Sequence, residues 1–599
     1  MWYRRLCRTP GSPGHVVGRI ETPGIPRLDR KSVKTIGKVA NLEKRTAEQV
    51  GLELKNGLGI AHTRWATHGF PSEENAHPHL DSSGRFAVVH NGIIENYQVL
   101  KKHLQDQGVK FASETDSEVL SHLIAQCYNG DLFDAVAGAL KKVTGTYAIA
   151  VISSEHPGVM VVARCGSPLL VGVGSGEMFI ASDAAAIAGF TRQVIYLNDH
   201  DIALVTSAEA DIRSLDNVAV NRNVSCIDWE PEAAEKSGFD HFMLKEICEQ
   251  PEALANTIRG RLDTRAANAR LNGLNLSPYE LARIHRIVIA ACGTSMHAGM
   301  VGRYYFEDLA AIPVDVEQAA EFRYRNPIIQ PDTLVIPVSQ SGETADTLAA
   351  VREAANKGAI VAAVCNVVGS TIARESGRCI YLHAGPEIGV ASTKAFTCQV
   401  SVLLMMAMLL GRNRRMSYQA ALELIAEIEN IPQLVREVLE TRSHIETVAR
   451  KYAKADNFFY IGRGYLYPVA LEGALKLKEI SYIHAEGYHA AELKHGPIAL
   501  LEDKVPVLAL ANDLPGKDKM IGNIQECRAR CSPVIATATT GDLEVEDMVD
   551  DVIRIPRCSQ YVAPIVTAVA LQLFAYYIAR ERGCEIDQPR NLAKSVTVE

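Results

Sequence analysis

The sequence predicts an α+β layered domain followed by two α/β units, each a doubly wound parallel sheet. Three observations carry this. Between residues 57 and 206 short strand-like runs outnumber helical ones. Beyond residue 286 apolar strands alternate with helical patterns, as a parallel sheet with crossover helices requires. That alternation then recurs at roughly 170 residues: Gly293 answers to Gly462, and Ala319-Ala320-Glu321 to Ala490-Ala491-Glu492.

A chain of 599 residues has room for three or four domains, and 47% hydrophobic with 22% charged residues is ordinary globular composition. A net charge of −8 with no Lys/Arg cluster argues against nucleic-acid or membrane-surface partners. The 13 cysteines are scattered. The closest pair, Cys527 and Cys531, has no neighbour to complete a zinc site, so no metal is expected and the thiols read as reduced and cytoplasmic. The longest unbroken apolar run, Val402–Leu410, is far short of the ~18–20 residues of a membrane span. Val562–Ala579 is longer but holds Pro564, Thr567 and Gln572, which suits a buried core helix. Met1-Trp2-Tyr3-Arg4-Arg5 carries charge with no apolar stretch after it, so no signal peptide is expected.

Taken in order, residues 1–36 are dense in Pro, Gly and Arg without periodicity, which predicts a disordered arm. The layered domain spans 37–225, with strands within 57–69 and 85–94 and helices at Val99–Gln107 and Val119–Cys127. Further strands fall at Tyr147–Ser153, Val159–Arg164, Leu169–Val173, Met178–Ser182, Val194–Leu197 and Ile202–Thr206. Residues 226–285 read as a polar helical connector. The first α/β unit, 286–425, has strands at Ile287–Ala291, Leu334–Val338, Ile360–Cys365 and Cys379–Leu382, and a long apolar helix to Leu410. The second, 450–590, has strands at Phe458–Ile461, Val505–Leu510, Val534–Thr537 and Asp551–Ile555, with a helix at Pro468–Ile480. Residues 591–599 form a tail.

The chemistry concentrates in four places. Leu334–Val338 runs into Ser339-Gln340-Ser341-Gly342-Glu343-Thr344 and then a helix, which gathers N–H groups and hydroxyls around one point suited to a phosphate monoester. The second unit carries Ala511-Asn512-Asp513 at the corresponding place, so one half keeps the phosphate loop. Glu472, Lys476 and Glu479 share a helix face, which is either a surface ion-pair ladder or, with His484, Glu486, His489, Glu492, Lys494 and His495 following, an acid–base site for aldose–ketose isomerisation. The tail from Asp587 to Lys594 is either a fraying end or a lid delivering an imine-forming amine. In the layered domain Arg64 and Asp116 suit the carboxylate and ammonium of an α-amino acid, and Asn91-Gly92 offers the two donors of an oxyanion hole. His77-Pro78-His79 has no nearby acid and reads as structural.

From about Gly37 to Glu599 the chain closely resembles the glutamine–fructose-6-phosphate aminotransferase (isomerising) family. The motifs are AHTRWATHG, HNGIIENY, SETDSE, ACGTS, SQSGETADT, GVASTKAF, ALKLKEISYIHAE, ELKHGP and DQPRNLAKSVTVE, in that order. The resemblance implies an N-terminal-nucleophile (class II) glutaminase domain followed by two sugar-isomerase (SIS) domains. It implies L-glutamine and fructose 6-phosphate as substrates, no cofactor, and a homodimer. By position, Arg64, Asn91, Gly92 and Asp116 would bind glutamine, with Trp65 on the ammonia path. Ser295, Ser339, Gln340, Ser341 and Thr344, helped by Val390 and Ser392, would hold fructose 6-phosphate. Glu479 would move the proton between C1 and C2, His495 would open the ring, Lys594 would form the imine, and Lys476 would support the site electrostatically.

The family opens, after Met removal, on Cys-Gly-Ile-Val-Gly, whose Cys is the nucleophile and whose own amine is the base. No such start is present: Cys7 is internal and has no free amine, so the glutaminase nucleophile is missing. Back-translated and read from the second nucleotide, Met1-Trp2 forces Cys-Gly, and permitted codons continue Ile-Val-Gly. Residues 2 to about 27 therefore read as an out-of-frame version of the family start, and the chain as written is expected to fail with glutamine while keeping sugar isomerisation. Two other classes remain at this stage: a hexose-phosphate isomerase that is glutaminase-less or uses ammonia, and a non-catalytic sugar-phosphate sensor.

Overall fold

The computed structural model describes residues 16–21, 32–37, 39–50, 57–64, 68–227 and 235–597. It divides the chain into two compact units, residues 1–234 with 595–599, and residues 235–594.

In the first unit two six-stranded antiparallel sheets face each other. One runs Ser225–Cys226, Gln193–Tyr196, Leu170–Val173, Glu177–Ala181, Val16–Glu21, Leu58–His62. The other runs Ala210–Ser214, Asp201–Val205, Met160–Cys165, Gly145–Ser153, Phe86–Ile94, His79–Leu80. Alternation along each strand separates two cores. Val89, Ala148, Ala150 and Val162 meet Val171 and Ile180 between the sheets. Their neighbours Phe86, Val88, Ile149 and Val161 pack under helices Glu118–Cys127 and Leu132–Leu140. The arm expected to be disordered is not wholly so: the backbone of Val16–Glu21 pairs with Leu58–His62 on one side and Glu177–Ala181 on the other. A six-residue run with two valines and an isoleucine can fill a slot between two waiting strands, which local composition does not reveal.

The second unit contains both α/β halves. Their sheets are entirely parallel and share one strand order, second–first–third–fourth–fifth. In the first half the strands are Val314–Gln318, Arg286–Ala291, Thr333–Ser339, the broken strand Ile360–Val361 with Ala363–Cys365, and Cys379–Tyr381. In the second they are His484–His489, Asn457–Gly462, Val507–Leu510, Val534–Thr539 and Asp551–Ile555. The central strands are buried on both faces, whereas the edge strands Val314–Gln318 and His484–His489 are partly exposed. Ile287, Ile289, Leu334 and Ile336 join Phe458, Tyr460, Leu508 and Leu510 in one core common to the two halves. The alternate residues Val288 and Val335, or Phe459 and Val507, line private outer cores.

The common core is filled by helices Lys394–Arg412 and Ala563–Glu581. Both are long and apolar enough to cross a membrane, and both are 94% buried within the protein. The expected polar connector is corrected here. Helices Phe242–Cys248 and Gln250–Ile258 bury Met243, Ile247 and Leu254 in the same core and belong to the second unit. Helices Tyr418–Glu440 and Arg442–Tyr452 link the halves. His484–His489, read above as a run of titratable groups, is an edge strand.

The internal repeat is sharper in three dimensions than in sequence. Ala319 and Ala490 are equivalent, since the preceding Gln318 and His489 both sit at φ −63°, ψ 124°. The other pairing is corrected by two residues. Gly293 (φ 52°) matches Gly464 (φ 51°), each following a residue in extended conformation, Cys292 and Arg463.

Candidate active site

In a doubly wound sheet, ligands bind beyond the carboxyl ends of the strands where the strand order reverses, here between the first and third strands. In the first half those ends are Cys292–Ser295 and Ser339–Thr344. Ser339 Oγ lies 3.0 Å from Thr344 Oγ1 and accepts from Gly342 N at 3.0 Å. Ser341 Oγ accepts from Glu343 N at 3.1 Å, and the Glu343 carboxylate turns away to Thr371 N and Oγ1. The hydroxyl turn is thus folded on itself by its own side chains, with Gln340 half-buried beside it. Ser295 opens the neighbouring helix and accepts from Gln399 Nε2 at 3.0 Å.

Gly342 has φ 65°, and a Cβ there would sit 2.0 Å from Ser370 Oγ. Gly342→Ala is expected to cost roughly 1–3 kcal/mol of loop strain and so to raise KM for a phosphorylated ligand about ten- to hundredfold. Steady-state kinetics with a melting curve as control checks this.

The ladder Glu472, Lys476, Glu479 is not on the surface: Glu472 and Lys476 are buried and Glu479 is half-buried, which removes the reading as an exposed ion-pair ladder. Helix Tyr467–Ser481 turns this face onto helix Gly293–Tyr305. Lys476 lies 2.6 Å from Glu479 Oε2 and 3.4 Å from Glu472 Oε1, and donates to Thr294 Oγ1 at 3.0 Å. Glu472 also takes Thr294 Oγ1 and His297 Nδ1. Burial works against the Lys476 ammonium, but Glu472 and Glu479 outweigh it and raise its pKa. Burial raises Glu479 above the ordinary carboxylate range in spite of Lys476.

The tail is held. Lys594 Nζ lies 2.6 Å from Glu387 Oε2 and donates to Gly389 O at 2.8 Å. Glu387 is wholly buried and collects Thr393 N, Ala395 N and Ser392 Oγ. Burial would raise this carboxyl, yet Lys594 and the backbone donors hold it well below the usual range. Its neighbour Glu246 is pushed the other way, by burial and then by Glu387. Glu246 accepts from Ile388 N and Gly389 N; Val390 N donates to Asp587 O, and Asp587 caps Phe242 N and Met243 N. Tail, loop Gly385–Thr393 and helix Phe242–Cys248 are therefore one hydrogen-bonded block. Glu479 lies within electrostatic reach of Lys594, and Lys476 of Glu387. His495 stands apart: it is exposed at the end of the turn Ala490–His495 and makes no hydrogen bond to Glu479, Lys594 or the hydroxyl turn.

Glu246 and Glu387 were not singled out from sequence. Glu246 had a signal, an acid on the stripe Phe242, Met243, Ile247 that the helix buries. Glu387 had none, because its partner is 207 residues away.

In the first unit Asp116 is buried and accepts from Ile94 N at 2.8 Å, with His68 Nδ1 at 3.8 Å. Arg64 spends its guanidinium on the carbonyls of His68, Gly69 and Phe70. Burial lowers its pKa while Asp116 opposes the shift, which puts Asp116 within electrostatic reach of Arg64. Gly92 has φ 143°, and a Cβ there would lie 2.1 Å from Thr146 O. Asn91 Nδ2 reaches Thr597 Oγ1 at 3.4 Å. His77 is buried between the rings of His62 and His79, and burial holds His79 down at about 3. Trp65 and Cys7 lie outside the described residues.

Beneath this site Glu118 accepts from Ala112 N, Ser113 N and Ser113 Oγ, and from His122. Burial would raise it, but these bonds depress it to about 2. A depressed acid stabilises the fold above its unfolded pKa, so this contribution is full above ~4.5 and is lost as pH falls toward 2. Glu118→Ala leaves buried donors unmatched and is expected to cost roughly 2–4 kcal/mol in denaturant unfolding of the first unit.

Fold and site together define a glutamine amidotransferase domain followed by a paired SIS core. The glutamine amidotransferase family matches residues 23–225, and the SIS domain family matches 280–409 and 451–581. The solved C-terminal domain of glucosamine-fructose-6-phosphate aminotransferase from Francisella tularensis superposes with a TM-score of 0.56 at 37% identity, covering 59% of this chain and 100% of its own. Glutamine--fructose-6-phosphate aminotransferase [isomerizing] of Chlorobaculum tepidum is 52% identical over 573 residues, covering 95% of this chain and 93% of the relative. A Thermus thermophilus protein of the same name is 50% identical over 571 residues, with the same two coverages. The chain belongs to the glutamine–fructose-6-phosphate aminotransferase (isomerizing) family.

Proposed function

We propose that this protein converts D-fructose 6-phosphate and L-glutamine into D-glucosamine 6-phosphate and glutamate. The observation that supports it best is that the second unit carries three chemistries: a hydroxyl turn, a half-buried carboxylate of raised pKa, and a lysine held by the tail. Ser295, Ser339, Gln340, Ser341 and Thr344 take the phosphate, with Val390 and Ser392 flanking the sugar. His495 is the expected ring-opening group, although within one chain it stands apart from the other groups. The Lys594 amine adds to the C2 carbonyl and water leaves, giving an imine. Ammonia then displaces Lys594 from C2. Glu479 removes a proton from C1 and returns it to C2, which moves the double bond and leaves an aldehyde at C1. Lys476 balances the charge of Glu472 and Glu479 throughout.

In the first unit Arg64 and Asp116 hold glutamine by its carboxylate and ammonium, and Asn91 with Gly92 N–H offers the two donors of an oxyanion hole. Trp65 stands on the ammonia path. The reading carries with it a cytoplasmic homodimer. Glucosamine 6-phosphate formation assayed with glutamine, with ammonium salt and with neither tests it. Product is expected with ammonium salt and absent with neither donor; with glutamine the expectation from the sequence as written is failure. Failure with both donors overturns the reading, whereas failure with glutamine alone places the loss in the residues preceding Arg64.

A further inference from the structure

The second half carries a cavity of its own at the point where its strand order reverses. It has a volume of about 220 Å³ and is walled by Arg463, Tyr465, Asn512, Leu514, Lys517 and Tyr304, among others. Arg463 and Tyr465 follow the first strand, and Asn512 and Leu514 the third, so the cavity occupies in this half the place of the phosphate turn in the other. The backbones agree closely: Cys292 at φ −122°, ψ 148° against Arg463 at −132°, 152°, followed by Gly293 and Gly464, whose missing Cβ atoms both face open space. What differs is the lining.

Several polar groups in the wall are already spent. Asn512 is spent on Thr567 and Thr537. Lys517 is neutralised by Asp542 and Glu544. Tyr465 donates to Asp308. The Arg463 guanidinium meets only the neutral amide oxygen of Asn523, through Nε and Nη2, and has no carboxylate partner among the described residues. The next acid along, Glu526, is taken by Lys494 and by the Asn523 amide. A half-buried guanidinium with a free edge is matched by an oxyanion. The volume, below the ~300–1,000 Å³ of pockets for drug-sized ligands, limits the occupant to a small molecule. Ring faces and leucines, where the first half has hydroxyls, favour a flat or apolar body.

We propose that this cavity is a second ligand site, taking a small oxyanion (phosphate or carboxylate) borne on a flat or apolar body, gripped by Arg463 and flanked by Tyr465 and Leu514. It goes beyond the reaction proposed above and stands whichever sugar the first half takes.

Calorimetric titration of the full chain with phenyl phosphate and with benzoate, under saturating fructose 6-phosphate to fill the first half, tests it. One equivalent of at least one probe is expected to bind, and the tighter of the two names the head group. Arg463→Met is expected to weaken that binding at least tenfold, and Leu514→Trp, which fills the cavity without touching the guanidinium, to do the same. Ser341→Ala in the other half should leave it unaltered. Binding of neither probe to the unmodified chain overturns the proposal, as does binding by both cavity variants equal to that of the unmodified chain.

Discussion

Replacing Lys594 by Arg is expected to lower glucosamine 6-phosphate formation on the order of 10³-fold or more, with glutamine or ammonium as donor. Arginine keeps the charge that Glu387 needs, so the tail should stay docked and the melting temperature should hold. What it cannot do is release a neutral primary amine to attack a carbonyl. Borohydride reduction in the presence of fructose 6-phosphate separates the two roles. The unmodified protein should gain the mass of one reduced sugar on Lys594, and Lys594→Arg should gain none. Trapping on another residue, or undiminished turnover by the variant, would remove the lysine from the mechanism.

Glu479→Gln should be nearly as damaging to turnover, by about 10²–10⁴-fold, because it deletes the proton carrier while preserving shape. Here borohydride trapping should persist, since imine formation precedes proton transfer. The pH profile supplies a second readout. A base must be ionised to act, and burial lifts the Glu479 carboxyl above the ordinary range. The acid limb of kcat/KM is therefore expected above the ~4.3 of an unperturbed glutamate, falling as pH drops through the raised value. A limb at or below the unperturbed position would assign it to another group.

Elements with a strong local signal were legible from the chain alone. Leu334–Val338, buried on both sides, reads as an unbroken apolar run, and Phe86–Val89 is apolar at every position because its two faces meet different cores. Helix Tyr418–Glu440 went unassigned although Leu424, Ile425, Ile428, Ile431, Val435 and Val438 keep helical spacing. The hydroxyl turn and the Glu472–Glu479 face were found because each is contiguous. The rest of the site is assembled from far apart: Glu387 meets Lys594 across 207 residues, and Thr294 meets Lys476 across 182. No local pattern records such a pairing. His484–His489 shows the opposite failure, in which residue types that suggested acid–base work instead complete a sheet edge.

Between the third strand and the next helix lie Gln340–Thr344, five residues, in the first half and Ala511–Gly516, six residues, in the second. The protein thus holds, within one polypeptide, both a hydroxylated turn and its naturally stripped counterpart on matching anchors. Exchanging the two connecting pieces would show whether affinity for a sugar ester travels with those side chains or stays with the frame beneath them. Ancestral doubling has left the reagent and its blank in the same molecule.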